Sequence, residues 1–209
     1  METKEFSILG DVARYYESTL AIHGETPLGV DWNGPDSQRV RFEQLARAII
    51  PKADLSVIDL GCGYGALFEH LSERFPDLSY QGYDICSPMI DAARKRLGSR
   101  ENVSLNVGSE PSTAADYALA SGIFNICLER KSSDWHSYIL STLDTLHSAS
   151  RCGFAFNALT IYSDPKRKRP HLHYSDPCVI FDYCKRHYSN QVALLHDYGL
   201  FEFTIIVRK

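Results

Sequence analysis

The sequence predicts an α/β fold: a mostly parallel sheet built from βαβ units, capped by N-terminal helices and ended by a hairpin. Three observations carry this. After Ala53, short apolar runs alternate with longer amphipathic ones, the pattern of strands joined by helical crossovers. The first such pair is joined by a glycine-rich turn, VIDLGCGYGA at 57–66. Near the end, Val192–His196 and Leu200–Val207 are separated only by Asp197-Tyr198-Gly199. Three residues cannot hold a helical crossover, so these two strands are antiparallel neighbours.

The elements follow in order. Two amphipathic helices precede the sheet, one turning Val12, Tyr15, Tyr16, Thr19 and Leu20 inward, the other Phe42, Leu45, Ala46, Ile49 and Ile50. A turn-rich segment, 23–38, lies between them. Strand one is Ser56–Leu60, and its helix carries Leu67, Leu71 and Phe75 before Pro76. Strand two, Tyr80–Ile85, leads through Ser87-Pro88, an N-cap followed by a first-turn proline, into a helix stopped by Gly98. Strand three is Val103–Val107 and strand four Tyr117–Ile123. The next helix aligns Trp135, Tyr138, Ile139, Thr142, Leu143 and Leu146, and Gly153 leads into strand five, Phe154–Leu159. Asp176-Pro177 caps a last helix with Val179, Ile180, Tyr183, Cys184 and His187 inward. One domain, 1–209, is expected, with 1–50 as the helical cap and 54–209 as the sheet and its helices.

Composition narrows the function. A net charge of -4 gives no global drive toward nucleic acid or anionic membrane, so the expected partner is a small molecule. No apolar run approaches the ~20 residues that cross a bilayer, and the acidic start does not read as a secretory leader. A cytoplasmic protein, monomer or homodimer, is expected. The six cysteines show no CxxC pair and are read as reduced thiols.

Gly61, Gly63 and Ala66 fit the G-x-G-x-x-A spacing of dinucleotide loops, in which main-chain N–H groups at a helix start meet the ligand. Asp84, at the end of strand two, is placed to accept both hydroxyls of a ribose. Both features suit a dinucleotide or a nucleoside. Two observations separate them. Asp59 sits two residues before Gly61, where a carboxylate repels pyrophosphate and suits a cation. The terminal hairpin also replaces the second half that a dinucleotide fold devotes to nicotinamide.

VIDLGCGYG resembles the first motif of the class I S-adenosylmethionine-dependent methyltransferases. YDICSPMIDAAR, Gly108-Ser109, the strand from Asp116 to Ile123 and the hairpin fall at that family's successive stations. The resemblance covers about residues 54–209. It implies a Rossmann-like, seven-stranded sheet of order 3-2-1-4-5-7-6 with an antiparallel terminal strand, and S-adenosyl-L-methionine as cofactor. It implies that Gly61, Gly63 and Gly65 line the methionine and ribose parts, with Asp59 near the ammonium. Asp84 would hold the ribose hydroxyls and Ile85 pack on adenine. Gly108 and Ser109 fall where the family often has Gly-Asp, so Glu110 is the alternative contact to the adenine amine. Ser121 would border the methyl group. GVDWN, SQRVRFEQL and the C-terminal VALLHDYGLFEFTIIVRK also resemble a group of small bacterial methyltransferases, with no substrate attached.

The acceptor is less legible. No N-P-P-Y or D-P-P-Y element follows strand four, where Ser121-Gly122-Ile123-Phe124-Asn125 stands, which argues against methylation of exocyclic base amines. Lys166-Arg167-Lys168-Arg169, in the loop after strand five, suits an acidic small molecule or, alternatively, an RNA backbone. His171 and His173 are candidate general bases; with no acid or thiol at ligand spacing, no metal is expected. Trp32 and Arg41 are placed by the cap on the cofactor side. Tyr15, Tyr16 and Trp32 form a candidate aromatic wall beside the sulfonium, with Tyr16 a further catalytic candidate. The expected activity is methyl transfer to oxygen or nitrogen of a small, possibly acidic, molecule. RNA methylation, a non-catalytic cofactor-binding module and a nicotinamide dehydrogenase are the alternatives.

Overall fold

The computed structural model describes residues 2–209, and their side chains from Ile8 onward. Helices α1 (Glu2–His23) and α2 (Pro35–Ala46) precede the sheet, with a 3-10 turn at Pro27–Val30 between them. The chain then alternates through β1 (Ser56–Leu60), α3 (Ala66–Arg74), β2 (Ser79–Asp84), α4 (Ser87–Leu97), β3 (Val103–Val107) and β4 (Ala115–Ser121). It continues through α5 (Ser132–Ser148), β5 (Ser150–Leu159), α6 (Pro177–His187), β6 (Gln191–Leu195) and β7 (Glu202–Arg208). The strands make one sheet of order β3-β2-β1-β4-β5-β7-β6. β7 runs antiparallel to both β5 and β6, and the other pairings are parallel.

The central strands are buried on both faces, so their residues alternate between two cores. Ile58 and Leu60 of β1, with Phe203 and Ile205 of β7, pack under α1, α5 and α6 through Val12, Leu143 and Ile180. Val57, Leu119 and Ile206 pack on the other face under α2, α3 and α4 through Leu45, Leu71 and Ile90. Helices on both faces of a parallel sheet define a doubly wound fold.

Sequence periodicity located every element and misplaced some of their ends and faces. β4 stops at Ser121 rather than Ile123 because Gly122, at φ 75°, turns the chain out of the sheet. β5 starts at Ser150, and Gly153 lies within it: a Cβ there would stand 2.3 Å from the Val207 carbonyl oxygen, so glycine lets β7 come close. Ser87 is the first residue of α4 and Cys86 its N-cap. Asp176 caps α6 as expected, accepting from the Cys178 and Val179 amides. The buried stripe of α6 is Pro177, Ile180 and Cys184, whereas Val179 and His187 are exposed. Ile50, beyond the end of α2, is also exposed. No described helix is long and apolar enough to cross a membrane.

Candidate active site

In this strand order the chain reverses direction across the sheet between β1 and β4, and the carboxyl ends of strands at such a point open into a crevice. A cleft enclosing about 1130 Å³, counted to its open mouth, lies there. The cleft is concave, part apolar and part polar in its lining, as small-molecule sites are. Its floor comes from the turns after β1, β2, β3 and β4, and its roof from α1, the segment 30–32 and α2.

The turn after β1 is a run of left-handed glycines, with φ 77° at Gly61, 53° at Gly63 and 84° at Gly65. A Cβ on Gly61 would stand 2.2 Å from the Ile123 side chain, so position 61 needs glycine for space as well as conformation. The Gly61 and Cys62 amides donate to the Tyr83 carbonyl, and Gly63 donates to Asp84 Oδ2 at 2.9 Å. Asp84 Oδ1 accepts from the Cys86 amide at 2.8 Å. One carboxylate thus ties the glycine turn to the start of α4, and each oxygen keeps a lone pair for a ligand. Burial raises its pKa to about 6 against those two amide donors.

Asp59 is more deeply enclosed. Oδ2 accepts from the Tyr80 hydroxyl at 2.6 Å, while Oδ1 is buried, lacks a partner and belongs to a residue lining the cleft. Burial pushes its pKa up to about 7, with the Tyr80 bond acting the other way and Asp84 adding repulsion. Such a carboxylate fits an ammonium and opposes a pyrophosphate. The donor set therefore suits the amino-acid end of S-adenosylmethionine better than a dinucleotide.

Every cofactor-side residue read from the sequence except Gly65 and Arg41 lines the cleft, including Ile85, Gly108, Ser109, Ser121 and Trp32; Glu110 and Tyr16 line it as well. Gly65 does not line it but sits at the N-cap of α3, facing Leu97. Arg41 is buried and pairs with Glu202 through Nε at 2.7 Å and Nη2 at 2.5 Å. Its guanidinium stacks 3.9 Å from the centre of the Trp32 ring, and its Nη1 has no partner. Trp32 in turn lies against Gly122, where a Cβ would be 2.3 Å from the ring.

The loop histidines are elsewhere. The carbonyl of His171 accepts from the Cys127 and Leu128 amides, and the His171 ring lies 6.2 Å from that of Tyr15. His173 approaches Trp135, and burial lowers its pKa. Neither lines the cleft, nor does Tyr15. The run 166–169 is exposed, with Arg167 over Phe201 and Lys168 over Tyr174. Among the described residues no cluster of His, Cys, Asp or Glu could hold a metal.

Sequence reasoning missed four supporting residues. Tyr80 reaches Asp59 from the neighbouring strand, and Tyr64 hydrogen-bonds Gln38 of α2 at 3.0 Å. Asn157, fully buried in β5, accepts from the Gly122 amide at 2.7 Å. Glu202 neutralises Arg41 from a position 161 residues away. None of these pairings leaves a local signal in the sequence.

Fold and cleft define a Rossmann-like enzyme for a nucleoside cofactor with a cationic end. A methyltransferase-domain family profile matches residues 58–152. A Mycobacterium tuberculosis protein provisionally named as a methyltransferase is 50% identical over 162 residues, spanning 77% of this chain and 98% of that protein. The chain belongs to the class I S-adenosylmethionine-dependent methyltransferases. Trans-aconitate 2-methyltransferase of Paracidovorax citrulli is 35% identical over 102 residues, 44% of this chain and 39% of that enzyme. Among solved structures, the DhpI–SAM–HEP complex shares the fold with a TM-score of 0.62 at 13% identity, over 98% of this chain and 95% of that one.

Proposed function

We propose that this methyltransferase acts on an oxygen or nitrogen atom of a small molecule held between the glycine turn and the helical cap. The observation carrying this reading is the roof: Leu9, Val12 and Tyr16 of α1, with Val30 and Trp32, close over the cleft floored by Asp59 and Asp84. The bound cofactor supplies an electrophilic methyl group on a sulfonium.

The chain's own residues bind, orient and exclude water. The unpartnered Oδ1 of Asp59 takes the ammonium, the free lone pairs of Asp84 take the ribose hydroxyls, and Ile85 with Met89 flanks the base. Trp32 and Tyr16 offer aromatic faces to the cationic end of the site. Burial and the nearby carboxylates of Asp31 and Asp84 raise the Tyr16 pKa well above its usual value, so its hydroxyl stays protonated and serves as a donor, not as a base. Among the described residues no histidine lines the cleft, so positioning and water exclusion supply most of the rate enhancement.

Asp84→Ala tests the cofactor half of this reading. Losing hydrogen bonds to a charged group, worth roughly 1.5–3 kcal/mol, should weaken S-adenosylhomocysteine binding by about 10- to 100-fold in calorimetry. Unchanged affinity would remove Asp84 from the site.

A further inference from the structure

We infer that the acceptor is an uncharged, largely apolar or aromatic molecule rather than an acid. This rests on the methyltransferase reading and deepens it. Among the described residues lining the cleft there is no lysine, arginine or histidine. The charged groups are acids: Asp59 and Asp84, which the cofactor occupies, and Glu110 in the turn after β3. The roof offers Leu9, Val12, Val30 and two aromatic rings, Tyr16 and Trp32.

An acidic acceptor would bring a carboxylate or phosphate into this enclosure with no cation but the sulfonium to meet it, and with acids nearby. A cationic acceptor would face the sulfonium itself, and the floor carboxylates are already committed. Tyr16 lines the cleft with its hydroxyl, and Ser121, whose oxygen accepts from Asn157 Nδ2 at 3.3 Å, keeps its own proton to fix one polar atom of a neutral molecule. The sequence offered one cationic anchor for an acidic acceptor, the 166–169 run, and the structure adds Arg41 as a second candidate; neither serves. The 166–169 run does not line the cleft, and the charge of Arg41 is matched by Glu202. The Nη1 of Arg41 is the one feature favouring an anion: a buried, unpartnered donor stacked on a wall residue.

The test compares neutral and anionic twins, such as 4-methylphenol with 4-hydroxybenzoate and aniline with 4-aminobenzoate. Binding to the S-adenosylhomocysteine-saturated enzyme is followed by saturation-transfer NMR. Calorimetry of S-adenosylhomocysteine alone comes first, so failure of the cofactor reading is seen separately. The neutral twin should bind at least tenfold more tightly. Equal affinity, or preference for the anion, overturns the proposal. The double variant Arg41→Gln with Glu202→Gln keeps hydrogen-bonding groups without the charges. The neutral preference should survive in it. Anion binding to the parent that disappears in this variant would assign Arg41 as the anchor and overturn the proposal.

Discussion

Asp59 is a buried carboxyl group with one oxygen unpartnered. With a pKa of about 7 and an unpartnered Oδ1, it is partly protonated near neutrality until a ligand charge lowers that pKa. Cofactor binding should therefore release protons around pH 6, and affinity should rise as pH increases toward 7. Calorimetry in two buffers of different ionisation enthalpy measures the release, and Asp59→Asn should abolish most of it. Stability carries the opposite slope. Between the ordinary 3.8 and about 7 the folded chain holds a proton that the unfolded chain has lost, so this group's contribution falls as pH rises through that window. Asp59→Asn should flatten that fall in ligand-free melting curves. The placement of Asp59, Gly61, Gly63 and Asp84 at the cleft was legible because each lies in or at the end of a strand whose following turn has recognisable chemistry. Tyr80 was not, because its approach depends on Gly82, where a Cβ would crowd Cys62 at 2.9 Å and the Tyr80 ring at 3.1 Å.

Elements were legible wherever periodicity and turn chemistry agree, as in the β1–α3 and β2–α4 units. They blurred where a single glycine ends a strand or a helix buries a narrow stripe. The α2–β7 contact left no local trace, yet it sets the roof. Arg41 of α2 and Glu202 of β7 are 5% and 1% exposed. Glu202→Gln should strand the arginine charge and destabilise the fold by about 3–5 kcal/mol in denaturant titration, and adding Arg41→Gln should recover much of that loss. The next contact is read by Gly122→Ala, which combines a strained φ of 75° with a clash against Trp32. Displacing that wall by about 1 Å should lower kcat for methyl transfer roughly 100-fold with little change in cofactor affinity. An equal loss of both would mean that Gly122 serves the fold and not the roof.

At the scale of the molecule, strand order explains why the site is local in space and scattered in sequence. The turns after β1, β2, β3 and β4 converge at the reversal point, while β7 closes the opposite part of the sheet and anchors α2 from behind. The order was legible through the family resemblance, and the hairpin gave its antiparallel end directly. The destination of the long loop after β5 was not. Its basic run, Lys166 to Arg169, sits on an exposed 3-10 turn and its stems cover Phe201 and Tyr174. Four exposed charges on a chain of net charge -4 do not steer a polyanion into a cleft floored by acids. Replacing all four by glutamine should leave cofactor affinity and small-molecule methylation unchanged and shift stability by no more than about 0.5 kcal/mol. If RNA were the acceptor, the same variant would reduce the salt slope of RNA binding by about 3, near 0.7 for each lost contact to a single strand. A titration of the parent and the variant with single-stranded RNA at several salt concentrations separates the two cases. The cleft chemistry predicts no salt-dependent RNA affinity in the parent for the variant to lose.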